Sequence, residues 1–218
     1  MNQANRSLAS QAYAALKRDI IRCEIPPGEL ILEAWLAERY GMSKTPIRQA
    51  IGRLETEGLV SVVPRKGTFV KAVSDADVRD NFNLRLLLEP EAAAIASKRA
   101  TGEDIIRLEE LANLTMHGLE DPREKHEVNR IFHTAIAEAA HVRLLEVMVG
   151  TLHEENERYL NYKMFVGQKS EKITNHLNIV ELIKNGSEEE IRENVASGIT
   201  KARQWILDAM TEELRGGY

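Results

Sequence analysis

The spacing of apolar residues changes at about residue 72 and divides the chain into two regions. In the first region, apolar residues three or four positions apart predict a helix over residues 7–22 and a short one over residues 33–40. A third helix is expected to begin after Ser43, because a serine is a favoured N-cap and helical spacing follows it. Three short helices in succession indicate a small, compact domain.

The third helix carries short polar side chains and cations at its N-terminal end. Ile47, Ile51 and Leu54 recur at the spacing of one buried face, whereas Lys44 and Arg48 lie one turn apart on the opposite face. Arginine can pair with guanine in the major groove, and the free N–H groups of a helix start favour phosphate oxygens. We therefore expect a DNA-binding face formed by Ser43, Lys44, Thr45 and Arg48.

The residues after the third helix predict a two-stranded wing. Gly58 is placed to end the helix, and short strands are expected over Leu59–Val63 and Thr68–Val70. The turn between them contains Arg65, Lys66 and Gly67, which can contact a neighbouring groove or backbone. Residues 1–72 are thus predicted to form a winged helix-turn-helix domain.

Residues 73–218 are predicted to form an all-α bundle, so the fold class is mostly α. Ser74, Thr101 and Ser187 each precede an acidic residue by three positions, which is a helix-start pattern. Helical spacing predicts helices near 75–99, 103–118, 122–140, 142–163, 170–185 and 188–214.

The charge of the chain is unevenly distributed. The net charge is −5, but residues 1–72 hold 11 Lys and Arg against 7 Asp and Glu, or about +4. A polyanion would therefore meet the first region only. Cys23 is the single cysteine and cannot form an internal disulfide, which favours a cytoplasmic protein. No apolar run is long enough to predict a membrane span.

A family resemblance rests on the stretch "PPGELILEAWLAERYGMSKTPIRQAIGRLETEGLVSVVPRKGTFV". It closely resembles the winged-helix domain of the GntR family of bacterial transcription regulators. The stretches "LRLLLEPEAAAIA", "VNRIFHTAIAEAA" and "NHLNIVELIKNGSEEEIRENVASGI" resemble the helical effector-binding domain of its FadR-like branch, called FCD. The resemblance implies a repressor or activator that binds a palindromic operator in double-stranded DNA as a homodimer. It also assigns the DNA contacts to Ser43, Lys44, Thr45, Arg48 and the wing turn.

The resemblance further implies an effector-binding cavity in the bundle. Family members often hold a divalent metal there with one Asp or Asn and three His, and the metal helps bind a small organic acid. Asn129, His133 and His176 match three of these positions, but Gly198 stands where the third His is expected. This incomplete set leaves two interpretations open, a zinc or nickel site and a metal-free polar patch with room for a larger effector.

Arg85 is the further candidate for effector binding, because a guanidinium suits a carboxylate. Its alternative role is an ion pair with Glu89, one helical turn away. His153 and the remaining histidines are expected to be surface or filler residues.

Two other functions compete with a ligand-responsive regulator. One is a protein-interaction module whose winged helix does not bind specific DNA, although the basic face argues against it. The other is a metal-dependent enzyme built on the histidines. The sequence lacks a phosphate-binding glycine loop, an HExxH motif and a general base beside the histidines, so no enzymatic activity is expected.

Overall fold

The computed structural model describes residues 7–117, 119–167 and 175–216, with side chains up to residue 208. The chain divides into two compact units, of which the first ends at Val73 and the second begins at Ser74. Among the described residues, no helix has the length and apolar character needed to cross a bilayer.

The first unit contains three helices and a three-stranded antiparallel sheet. In chain order its elements are α1 (Leu8–Ile21), β1 (Leu30–Ile31), α2 (Glu33–Tyr40), α3 (Lys44–Thr56), β2 (Val60–Val63) and β3 (Gly67–Val70). The strand order is β1-β3-β2, and Leu30 pairs with Phe69. The sequence did not predict β1, because two residues are too few for an alternating pattern and their pairing partner lies almost forty residues away.

The helices of the first unit pack on one apolar core. Leu16, Leu36, Ile47 and Leu54 are fully buried, and α3 thereby presents to the core the face that its spacing predicted. Each such side chain contributes about 1.5–3 kcal/mol relative to an exposed one. Gly58 has a φ of 75°, a left-handed conformation that glycine adopts at little cost, and it ends α3 as predicted.

The second unit consists of helices among the residues described. They are α4 (Asp75–Arg99), α5 (Gly102–His117), α6 (Pro122–Ala139), α7 (Arg143–Phe165), α8 (His176–Asn185) and α9 (Glu188–Gly216). The helix predicted over residues 170–185 is wrong at residue 175, which is not helical. Asn175 is instead the N-cap of α8, and its side chain accepts a hydrogen bond from Asn178 N–H. Residues 170–174 lie outside the described part of the chain.

The three predicted helix starts of the second unit form as capped ends, and those at Thr101 and Ser187 are reciprocal, because their backbone N–H groups donate to Asp104 and Glu190. Ser74 Oγ accepts from the Asp77 backbone N–H, and the Thr101 and Ser187 hydroxyls do the same for the third residue after them. These local bonds fix where α4, α5 and α9 begin. The helices that bring functional side chains together, α4, α6 and α7, pack against one another.

Candidate functional sites: an exposed basic helix end and a buried histidine cluster

The N-terminal end of α3 is exposed and polar. Ser43 is the N-cap residue, but its side chain makes no capping hydrogen bond, and Ser43, Lys44 and Thr45 are all exposed. Pro46 and Ile47 immediately behind them are buried and fix the helix to the core. Because the first N–H groups of a helix lack intrahelical partners, this end can bind an anion such as a phosphate oxygen.

Arg48 lies one turn further along α3 and is paired across the helix-turn-helix. Its Nε donates to Glu33 Oε2 at 2.8 Å and to Oε1 at 3.0 Å, and its side chain keeps 65% of its exposure. An exposed ion pair of this kind is weak and exchangeable. The guanidinium therefore lies at the surface and can exchange Glu33 for another partner at little cost.

The turn of the wing is exposed and conformationally demanding. Arg65, Lys66 and Gly67 are exposed, and Arg65 and Gly67 have φ values of 64° and 117°. A Cβ added at Gly67 would lie 2.7 Å from Leu30 Cδ1. The backbone conformation therefore favours glycine at position 67, whereas the exposed Leu30 side chain could move away from an added Cβ. Arg65 and Lys66 carry the charge of the turn.

In the second unit, Arg85 forms a buried ion pair. Its Nε donates to Glu89 Oε1 at 2.6 Å, and its Nη1 donates to Asn156 Oδ1 at 2.7 Å. The Arg85 and Glu89 side chains are only 4% and 5% exposed. The Arg85–Glu89 ion pair that the sequence offered as an alternative thus forms. The hydrogen bond to Asn156 links the pair on α4 to α7.

Two histidines face the same carboxylate from neighbouring helices. His133 Nδ1 on α6 lies 3.3 Å from Glu89 Oε2, and His153 Nε2 on α7 lies 2.9 Å from Glu89 Oε1. The two imidazole rings stack with centroids 4.5 Å apart. The expectation that His153 is a surface or filler residue is wrong, because its side chain is fully buried inside this cluster.

His176 joins the cluster from the start of α8. Its ring stacks on Phe132 at 4.1 Å and meets the His133 ring edge-on at 5.2 Å. The Thr115 hydroxyl donates its proton to Ala112 O, so it accepts from His176 Nδ1 at 2.9 Å. This hydrogen bond places the proton on Nδ1 and leaves Nε2 with its lone pair.

The structure brings together three of the four residues predicted for the effector site. Arg85 and His133 both lie close to Glu89, and His133 and His176 are in ring contact. Asn129 is half-buried one helical turn before His133. The sequence analysis missed three residues of this site. It named Glu89 only as a partner of Arg85, and it did not place Asn156 or His153 there. Each is a common residue on a long helix and carries no local motif.

Burial and the neighbouring charges set the protonation states of this cluster. Burial raises the pKa of Glu89, but Arg85 and the two histidines outweigh it and hold that pKa well below its usual range. Burial lowers the pKa of His153 to about 3, although Glu89 opposes this. Burial, aided by the nearby His133 and His153, also lowers the pKa of His176. Near neutral pH, Glu89 is therefore a carboxylate, and the imidazoles of His153 and His176 are neutral.

A small cavity adjoins the carboxylate. Glu89 and His133 line it together with Ala93 and Val149, and its volume is about 10 Å³. That volume accommodates about one water molecule or one ion. Glu89, His133 and His153 each offer one possible ligand atom, and these atoms lie within 4.8 Å of one another. The arrangement has the donor types and the space that a single metal ion requires.

Comparison with known proteins gives the same two-part division. Residues 8–70 match the family of bacterial regulatory proteins called gntR, and residues 80–199 match the FCD domain. The "Nta operon transcriptional regulator" of Aminobacter aminovorans is 29% identical over 189 residues, which are 84% of this chain and 86% of that protein. The "HTH-type transcriptional regulator McbR" of Escherichia coli is 31% identical over 148 residues, 67% of each chain.

Solved structures show the same architecture. The structure of E. coli McbR/YncC superposes with a TM-score of 0.76 at 25% identity, over 93% of this chain and 98% of that one. A GntR regulator from Rhodococcus sp. RHA1 has the same fold, with a TM-score of 0.75 at 18% identity, over 92% of this chain and 98% of that one. The protein is a ligand-responsive transcription regulator, and its chain belongs to the GntR family, with a winged helix-turn-helix followed by an FCD domain.

Proposed function

We propose that the protein binds a palindromic operator as a homodimer in the cytoplasm and that a small carboxylate effector changes its affinity for DNA. The DNA contacts are assigned to the α3 start and the wing turn, that is, to Ser43, Lys44, Thr45, Arg48, Arg65, Lys66 and Gly67. The effector contacts are assigned to the buried cluster, in the region of Arg85, Asn129, His133 and His176.

The exposed end of α3 carries the DNA-binding part of this proposal. Ser43 leaves the helix N–H groups uncapped, and Lys44 lies beside them on an exposed face of a helix fixed from behind by Ile47. A helix end with free N–H groups and a cation favours phosphate, and the preceding helix in such a motif supports its entry into the major groove. The whole chain has a net charge of −5, so its remaining, acidic part would repel DNA.

The buried cluster supports a small acidic effector. A cavity inside a helical bundle is a common place for a ligand, and here Glu89 and His133 are the polar residues of a mainly apolar lining. An arginine such as Arg85 beside it suits a carboxylate. Arg85 is already paired with Glu89, so an effector carboxylate must either displace Glu89 or bind at its free side, beside His133. The cavity at that side has room for about one water, so any effector carboxylate must widen it on binding.

DNA selection followed by titration tests the DNA-binding proposal. Purified full-length protein should enrich a palindromic sequence from a random pool, and fluorescence anisotropy then gives its affinity at several salt concentrations. Lys44→Ala should weaken binding to every sequence and reduce the magnitude of the salt slope by about 1, because one phosphate contact is lost. Failure to enrich a palindrome would contradict the proposal.

Arg53→Ala provides a matched control for Lys44→Ala. Arg53 is an exposed cation in the last turn of the same helix, and it stacks on Tyr13 with its Cζ 3.7 Å from the ring centroid. Its removal changes the net charge equally but leaves the N-terminal end of α3 intact. An equal loss of DNA affinity in both variants would mean that net charge, and not the α3 start, determines binding.

A thermal-shift screen of small carboxylates tests the effector proposal. A true effector should raise the unfolding temperature of the protein and change its operator affinity. By linkage, operator DNA must change the affinity for that carboxylate by the same factor. A carboxylate that stabilises the protein without changing DNA affinity would be a ligand but not an effector.

A further inference from the structure

We propose that Glu89, His133 and His153 bind one divalent transition-metal ion. This ligand set shares only His133 with the set that the sequence predicted. The ion would lie in the proposed effector site. Its role in effector binding rests on the proposed function, whereas the metal site itself does not.

The geometry of the three side chains fits one ion. They come from α4, α6 and α7, and their ligand atoms lie within 4.8 Å of one another. His133 Nδ1 lies 3.3 Å from Glu89 Oε2. Ligands held about 2.1 Å from a zinc-like ion in a tetrahedral arrangement are themselves roughly 3.4 Å apart. Small side-chain adjustments therefore suffice for a shared ion.

Unpartnered buried atoms provide an independent argument. Among the described residues, Glu89 Oε2 and both ring nitrogens of His153 are buried without a hydrogen-bond partner. His153 Nε2 is within ion-pair distance of Glu89 Oε1, at 2.9 Å, but the direction of the contact does not make it a hydrogen bond. Leaving buried polar atoms unpaired is costly. A cation would take up the free carboxylate oxygen and the Nε2 lone pair together.

Neighbouring side chains hold the carboxylate in place for such an ion. Arg85 Nε donates to Glu89 Oε1, and Asn156 Oδ1 in turn accepts from the same guanidinium. Glu89 Oε2 thus remains on the side of His133. Partners of this kind orient metal ligands and tune their affinity.

The donor set determines the class of metal and leaves room for a ligand. Two imidazole nitrogens and one carboxylate oxygen suit zinc, nickel or cobalt, and they suit magnesium or calcium poorly. Three protein ligands leave at least one coordination position open. That position suits a water, and the carboxylate of the proposed effector would reach it only if the cavity beside Glu89 and His133 widened.

Metal titration of the full-length protein tests the proposal. The protein is stripped with a chelator and dialysed, and Co²⁺ is added while its visible absorption is recorded. Zn²⁺ affinity is then measured by competition with a chromophoric chelator. We expect one ion per chain, and we expect Glu89→Gln and His153→Gln to weaken its binding more than about 100-fold, since even indirect partners of a metal are worth 10–100-fold.

Three further variants make the assignment specific. Asn129→Ala and His176→Gln test the ligands that the sequence predicted, and they should retain binding within a few-fold of the unaltered protein. His141→Gln removes an exposed histidine that contacts Asp104, and it controls for histidine loss in general. Loss of binding in Asn129→Ala or His176→Gln, with retention in His153→Gln, would overturn the proposal, and so would absence of stoichiometric binding by the unaltered protein.

Folding is checked separately from binding. Circular dichroism and thermal unfolding without metal show whether each variant is folded. If Glu89→Gln does not fold because Arg85 loses its partner, His153→Gln still tests the proposal. Neither DNA nor effector is present in the titration, and operator selection needs no added metal, so failure of one proposal is distinguishable from failure of the other.

Discussion

Arg48 and Arg85 each pair with a glutamate, and the two pairs differ mainly in their exposure to water. Arg48 and Glu33 are 65% and 36% exposed and lie 2.8 Å apart in the winged unit. Arg85 and Glu89 are 4% and 5% exposed and lie 2.6 Å apart in the bundle. The two distances are similar, but the cost of removing one partner differs greatly, because water screens the first pair and is largely excluded from the second.

This difference corresponds to two kinds of site. An exposed pair can exchange its partner at little cost, so Arg48 is available to a phosphate or a base edge. A buried pair keeps its geometry because breaking it leaves a buried charge unpaired. Arg85 and Glu89 therefore form a fixed framework for the histidines around them. Substitutions in the two pairs should therefore differ most in their cost to stability, which is largest for the buried pair.

Arg85→Ala should lower the free energy of unfolding of the bundle by about 3–5 kcal/mol, because it leaves Glu89 buried and unpaired. Urea unfolding monitored by Trp205 fluorescence in a Trp35→Phe background measures this unit, since the chain has 2 tryptophans. The double variant Arg85→Ala/Glu89→Ala should recover part of the loss. If the single variant costs no more than an exposed pair would, the cluster is more hydrated than the structure indicates.

Arg48→Ala should weaken operator binding by about 1–3 kcal/mol and relax specificity at one operator position, if Arg48 reads a base. The protein's stability should change little, because the Arg48–Glu33 pair is exposed. Anisotropy titrations against operators mutated one base pair at a time measure both effects. A uniform loss on every sequence would instead assign Arg48 to a phosphate.

Ser187→Ala should destabilise the bundle by about 0.5–2 kcal/mol through loss of the α9 N-cap. In the intact protein, the Ser187 backbone N–H and hydroxyl lower the pKa of Glu190. A carboxyl with a lowered folded-state pKa adds stability that is present above its unfolded pKa and is lost as the pH falls through the folded value. The effect of Ser187→Ala should therefore shrink as the pH falls, and thermal unfolding measured from neutral pH into acid checks this expectation.

Glu33→Gln should tighten DNA binding slightly, by up to about 1 kcal/mol, because it releases Arg48 and removes a negative charge near the proposed DNA face. The gain should be largest at low salt, where charge interactions are least screened. Anisotropy at two salt concentrations measures it, with Glu38→Gln on the same helix as a charge-matched control. Weaker binding in Glu33→Gln alone would show that Glu33 orients Arg48 for DNA.

The winged unit was easier to predict than the bundle because its signals are local. The Ser43 start, the Gly58 end and the buried face of α3 each depend on residues within a few positions of one another. Strand β1 escaped prediction because it exists only through pairing with β3. In the bundle, the same local logic placed the caps at Ser74 and Ser187 and the inward side of His176, but it did not place His153 and Asn156 of α7 in the interior.

The buried cluster shows where sequence patterns stop. Arg85 and Glu89 were recognisable as a pair because they are one turn apart on one helix. His153 was wrongly assigned to the surface or to filler, because its helix carries charged residues on several sides and its burial depends on α4 and α6. The positions of Asn129 and His176 as ligands remain a prediction.

The sequence by itself determined the order of the helices and the two wing strands, the polar end of α3, the glycine-dependent turns and the capped helix starts, because each depends on bonds and sterics within a few residues. Only the tertiary structure decided that His133 and His153 meet the Arg85–Glu89 pair in one buried cluster. Side chains from α4, α6 and α7 meet there through packing. Burial and the neighbouring charges then set the protonation states of Glu89 and His153, and packing left Glu89 Oε2 and the His153 ring nitrogens without hydrogen-bond partners.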